Sequence, residues 1–82
     1  MSLKMKFSGK VYRARREMGY TQEQLAEAVS ASTRWIKKIE KGTGLPGGEI
    51  MIALLIFLNL DVNDFREDVN LRVPVSNVRR KP

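Results

Sequence analysis

Apolar residues recur along this chain in short blocks at helical spacing, and each block is closed by a glycine, a polar turn or a capping residue. Val11, Ala14 and Met18 share one face behind Ser8, which reads as an N-cap, and Gly19 closes the block. This predicts a first helix over about Gly9 to Met18. Thr21-Gln22-Glu23-Gln24 is a capping box, in which Thr21 and Gln24 satisfy each other's backbone amides. Tyr20 before the cap is expected to staple onto Leu25. Leu25, Ala26 and Val29 form one stripe, so a second helix is predicted over about Gln22 to Val29. Ser30-Ala31-Ser32 is a tight polar turn, with Ser32 as the next N-cap. The third helix then runs from Thr33 to about Lys41, with Ile36 and Ile39 inward and Gly42 as its stop.

The second half of the chain patterns differently. Gly44-Leu45-Pro46-Gly47-Gly48 is a loop by composition. A fourth helix over about Glu49 to Leu58 is apolar almost all round, so it lies centrally in a core or at a subunit contact. Asn59 serves as its C-cap, and Asp61 caps a fifth helix over Val62 to about Glu67. Leu71 to Val75 alternates like a strand that Pro74 confines to an edge, and Arg79 to Pro82 is a basic end expected to be disordered. Met1-Ser2-Leu3 reads as an expression scar or frayed end. The expected organisation is residues 1–7 apart from the fold, a domain over 8–67, and an arm with a basic tail over 68–82.

Composition narrows the chemistry. At 82 residues the chain suits one small domain. Cysteine and histidine are absent, which removes disulfides, thiolate metal sites, and the commonest general base and metal ligand. Carboxylates do not cluster, so no reacting centre, metal or cofactor is expected and an enzyme is not the reading. The longest apolar run, Ile50 to Leu58, is nine residues, about half a membrane-spanning helix. No apolar leader segment is visible, and a cytoplasmic, reducing location with no membrane partner is expected.

Net charge is +6, and all of it lies in the first half. Residues 1–41 hold ten Lys or Arg against four Glu, whereas residues 42–82 hold five against five acidic residues. Such polarity points to an anionic partner, nucleic acid first, although charge alone does not separate that from a merely solvated basic surface. The layout of the middle helices does more. Two short helices joined by a few residues, the second capped, basic outside and apolar inside, is the arrangement of a helix-turn-helix. A helix about 10–12 Å across fits a major groove about 12 Å wide, with its early residues against base edges. Thr33, Arg34, Lys37 and Lys38, set against Ile36 and Ile39, meet that requirement.

The stretch from Tyr20 to Gly42 resembles the lambda-repressor-like, or Xre-type, helix-turn-helix family of transcriptional regulators. Gly19 to Glu27 is similar to that family's opening of its second helix, and Ile36 to Gly42 to the close of its third. Pro46, Leu58 and Phe65 fall where the family places a Pro, a Leu and an apolar residue. The likeness spans roughly Val11 to Phe65, about two thirds of the chain. It implies an all-α fold of five helices and a partner in double-stranded DNA. It further implies base contacts from Thr33, Arg34 and Lys37, with at least one guanine in each half-site facing Arg34. Gln22, Lys38, Lys41 and Thr43 would meet the phosphate backbone, Gln22 from the helix N-terminus. Arg15 and Glu40 occupy positions that the family often pairs as a structural ion pair.

The sequence departs from that pattern at three places. Trp35 stands where a small polar residue is usual, and it either packs on the first helix or the loop, stacks on a DNA sugar, or touches a thymine methyl. Ser30 replaces a turn glycine and is expected to need an unusual backbone conformation. Gly47-Gly48 replaces a better helix start. On the fourth helix Ile50, Ala53, Ile56 and Phe57 add apolar area that a small monomer rarely leaves bare, so the tail or a second subunit is expected to cover it. The resulting expectation is a homodimeric repressor on an inverted-repeat operator. Two alternatives stand beside it: an antitoxin that binds its toxin through Asp68 to Pro82, and a protein-interaction module that has lost DNA binding.

Overall fold

The computed structural model describes residues 2–69, and among these the chain is entirely helical. Four α-helices, α1 (Leu3–Met18), α2 (Gln22–Ala28), α3 (Thr33–Lys41) and α4 (Gly48–Phe57), precede a 3-10 helix over Val62–Asp68. The alternating segment Leu71 to Val75 and the basic end Arg79 to Pro82 lie outside the described residues.

Local chemistry explains where the helices begin and end. The capping box is formed as the residues require. The Gln24 amide donates to Thr21 Oγ1 at 3.0 Å and the Thr21 amide donates to Gln24 Oε1 at 2.9 Å. The Trp35 amide donates to Ser32 Oγ at 3.0 Å and opens α3 in the same way. Gly19 and Gly42 end α1 and α3 with φ of 81° each, a left-handed conformation that costs a residue without a Cβ little. Ser30 adopts φ 58° without that freedom, so the turn between α2 and α3 carries backbone strain. Asn59 takes the matching position after α4, at φ 54°.

Helix α1 differs from its predicted extent. It starts at Leu3, well before Gly9, and its N-cap is Ser2, whose hydroxyl oxygen accepts from the Met5 amide at 3.2 Å. Phe7 and Leu3 extend the Val11 stripe backwards by one and two turns, and Phe7 is buried in the core. Ser8, expected as the cap, is instead buried inside the helix, where its hydroxyl donates to the Glu40 carbonyl oxygen. That contact satisfies one of the carbonyls left open where α3 ends. The last predicted helix winds as 3-10 rather than α, with the Asp61 side chain accepting from the Asn63 amide at 2.9 Å.

The core joins all five elements: Phe7 and Val11 from α1, Leu25 and Ala26 from α2, Val29 after it, Ile36 and Ile39 from α3, Leu54 and Leu58 around α4, and Phe65. Helix α3 packs against both α1 and α2, and the 3-10 helix packs against α1. The Phe7 and Phe65 rings meet with centroids 5.7 Å apart and tilted by 57°. Burying each such side chain contributes about 1.5–3 kcal/mol. The Tyr20 ring packs on Phe57 of α4, with centroids 5.0 Å apart and the planes tilted by 39°. Tyr20 thereby ties the entry of α2 to the far end of the domain.

Candidate nucleic-acid interface

Helix α3 divides its nine residues cleanly between two faces. Ile36 and Ile39 have no exposed surface and anchor the helix from behind. Arg34, Lys37, Lys38 and Lys41 are exposed, and Thr33 is half-buried at the first helical position. Among the described residues the ion pairs are Lys6 with Asp68, Lys10 with Asp64, and Arg15 with Glu40. None of them neutralises a cation on the outer face of α3. Thr43 follows the helix stop, where its amide and hydroxyl both donate to the Lys38 carbonyl oxygen, at 3.0 and 3.2 Å. Thr33, Arg34, Lys37, Lys38, Lys41 and Thr43 are therefore carried by one helix and its stop.

A buried polar network holds this helix in place. Arg15 grips Glu40 through two parallel contacts, Nε to Oε2 at 2.6 Å and Nη2 to Oε1 at 3.0 Å. Their side chains are only 9% and 4% exposed. Arg15 Nη1 also donates to the Tyr20 carbonyl oxygen at 2.9 Å. The hydrogen bonds Arg15 donates to Glu40 hold the guanidinium's pKa above its ordinary value, outweighing the opposing effect of burial. Gln22 Nε2 donates to Glu40 Oε1 at 3.0 Å. Glu40 is thus the common acceptor for the end of α1 and the start of α2, and its own backbone takes the Ser8 hydroxyl. The sequence pairs Arg15 with Glu40 only through resemblance, and nothing in its local pattern places Gln22 or Ser8 beside them.

Trp35 lies against the loop. Its ring covers Gly44, where a Cβ would fall 2.6 Å from Cζ3 and 2.8 Å from Cη2, so no larger residue fits without displacing the indole. Lys38 Nζ lies 5.9 Å from the centroid of the same ring. Of the three environments open to Trp35 in the sequence, packing on the loop is the contact formed within the protein. The missed signal is Gly44 itself, a small residue at the right distance past the helix to accept a large one.

The apolar residues of α4 separate into two groups. Ile50, Ala53 and Phe57 are half-buried and packed on the core, so their apolar surface is already largely used. Ile56 is 74% exposed, and Ile52, one turn earlier, is 57% exposed. The uncovered stripe is therefore Ile52 with Ile56, narrower than the four-residue patch expected from the pattern alone. Among the described residues no helix is long and apolar enough to cross a membrane.

Comparison with known proteins agrees with this geometry. Residues 11–65 match the Helix-turn-helix family, which covers more than half of the chain and takes in α2, the turn, α3 and α4 whole. No curated protein and no solved structure gives a significant match. With two capped helices set around a four-residue connection and the match running in register through them, the chain belongs to the lambda-repressor-like, or Xre-type, helix-turn-helix family of DNA-binding regulators.

Proposed function

We propose that the protein is a cytoplasmic transcriptional repressor that binds a short inverted-repeat operator as a dimer and acts by occluding the promoter. The observation that carries this reading is the outer face of α3: Arg34, Lys37, Lys38 and Lys41 exposed opposite two isoleucines with no exposed surface. In this reading Thr33, Arg34 and Lys37 meet base edges, and Arg34 addresses guanine O6 and N7. Lys38, Lys41, Thr43 and Gln22 meet phosphates. Gln22 keeps its bond to Glu40 and turns its remaining amide hydrogen outward. The exposed Ile52 and Ile56 supply the dimer contact, which would set two recognition helices about one DNA turn apart.

Selection of bound sequences from a random duplex pool tests the reading, because it reports specificity, symmetry and half-site spacing together. An inverted repeat containing guanine is expected. On the selected site Arg34→Ala should cost about 1–3 kcal/mol and relax preference at one position, whereas Lys41→Ala should weaken specific and random DNA alike. Affinity should fall steeply with salt as condensed counterions are released. Equal losses on both DNAs from both variants would remove the base-reading role of Arg34. The antitoxin alternative rests on the segment from Asp68 onward, of which residues 70–82 lie outside the described residues. The interaction-module alternative needs a neutral or acidic α3, which the four exposed cations do not provide.

A further inference from the structure

Helix α1 carries cations toward two neighbours, and the fold neutralises one set of them. Toward the 3-10 helix, Lys6 pairs with Asp68 at 3.0 Å and Lys10 with Asp64 at 3.2 Å. Toward α3, Arg16 is exposed and forms no ion pair among the described residues. The exposed carboxylates Glu17 and Glu23 do not pair with it.

What Arg16 holds instead is Tyr12, one turn back. Its Nη1 donates to the Tyr12 hydroxyl oxygen at 3.0 Å, and its Cζ lies 5.5 Å from the centroid of that ring. Arg15 Cζ lies at the same 5.5 Å from the ring, so Tyr12 stands beside the buried pair of Arg15 and Glu40. Gln22 bonds the Glu40 carboxylate of that pair at 3.0 Å. Two turns before Tyr12, on the same stripe of α1, Met5 abuts the stop of α3. Its sulfur lies 3.0 Å from where a Cβ on Gly42 would fall. Tyr12 and Arg16 therefore flank α3 on the side where Gln22 stands.

We propose that Tyr12 and Arg16 together grip one further phosphate of duplex DNA, on the backbone that Gln22 meets. The inference rests on the DNA-binding reading and extends it from α2 and α3 to α1. Tyr12 is 45% exposed, so a phosphate can reach it. Because its hydroxyl oxygen accepts from Arg16, its own proton is left to donate, and phosphate oxygens accept. Arg16 gives one N–H to Tyr12 and presents the rest of its planar fork, a shape that suits phosphate. Each side chain already holds the other, which reduces the freedom lost on binding. A phosphate carries no base information, so the contact adds affinity on every sequence alike.

The test titrates the full chain onto a random-sequence duplex and onto the selected site, over a range of salt. Arg16→Ala should weaken both by about fivefold to tenfold at ~0.1 M salt and reduce the salt slope by about 0.9. Arg16→Lys should restore the slope. Tyr12→Phe keeps the ring beside Arg15 and removes only the hydroxyl. It should weaken both duplexes by about threefold to tenfold, with the thermal midpoint within about 1 °C of the parent. Arg66→Ala removes an exposed cation of the 3-10 helix and should leave the slope near the parent's. Parent-like affinity in either the Arg16→Ala or the Tyr12→Phe variant overturns the paired contact. So does an equal loss of slope in Arg66→Ala, which would assign the effect to net charge. A parent protein that binds no duplex at all removes the DNA-binding reading itself, whereas a parent that binds while these variants match it removes this contact alone.

Discussion

Helices α3 and α4 are nearly equal in length, nine and ten residues, yet they use their side chains in opposite ways. In α3 the apolar content is confined to the inward face, so the fold consumes it and leaves a cationic face for solvent or an anion. In α4 only Glu49 and Gly48 interrupt the apolar sequence. The fold can bury only one side of a helix packed from one direction, and Ile52 and Ile56 remain on the other. The comparison teaches that amphipathic contrast marks a surface meant for water or a charged partner, whereas its absence marks a surface awaiting an apolar one. The two helices also start differently. Ser32 caps α3 with its side chain, whereas Gly47 offers α4 no side-chain hydrogen bond.

The contrast can be broken most severely at Glu40. Glu40→Ala leaves the Arg15 guanidinium buried without its carboxylate and removes the acceptor of Gln22, and should destabilise the domain by about 3–5 kcal/mol in chemical denaturation. A cost below about 1 kcal/mol would mean that α3 is held by its isoleucines alone. The next effect compares one isoleucine from each helix. Ile36→Ala should cost about 2–5 kcal/mol through the cavity it leaves. Ile56→Lys should leave the stability of a monomer within about 0.5 kcal/mol. If Ile56 forms the dimer contact, the same substitution should convert a sedimenting dimer to monomer and weaken operator binding. A strict monomer in the parent protein would remove that role.

Smaller effects sharpen the junction between the two helices. Gly44→Ala drives a Cβ into the Trp35 ring and should cost about 1–3 kcal/mol as an overpacked site. Adding Trp35→Ala should cost less than the sum of the single changes, because the clash has lost one partner. Additive costs would show that the ring does not bear on Gly44. The smallest change has the opposite sign. Ser30→Gly relieves the left-handed backbone of the turn and should stabilise by about 0.5–1 kcal/mol, the relief being partly offset by glycine's greater freedom when unfolded.

Much of the helix-turn-helix framework is legible in the sequence. The Thr21 and Ser32 caps, the Gly42 stop and the inward isoleucines lie within one or two helical turns of the groups they satisfy, so periodicity and capping rules reach them. The start of α1 was missed because a short apolar and basic N-terminus resembles a frayed end until Phe7 has a core to enter. Ser8 was misassigned for a related reason: a serine ahead of an apolar stripe reads as a cap, and its true acceptor lies thirty-two positions away.

What the sequence determined by itself is the set of helices, the register of the turn and the division of α3 into an apolar and a cationic face. These depend on interactions between residues a few positions apart, where backbone geometry leaves few alternatives. Only the tertiary structure decided that Glu40 gathers Arg15 and Gln22, that Trp35 rests on Gly44, that Tyr20 meets Phe57, and that Ile52 with Ile56 is left uncovered. Each of those outcomes depends on the direction from which a distant helix approaches, and that direction is set by the packing of the whole core.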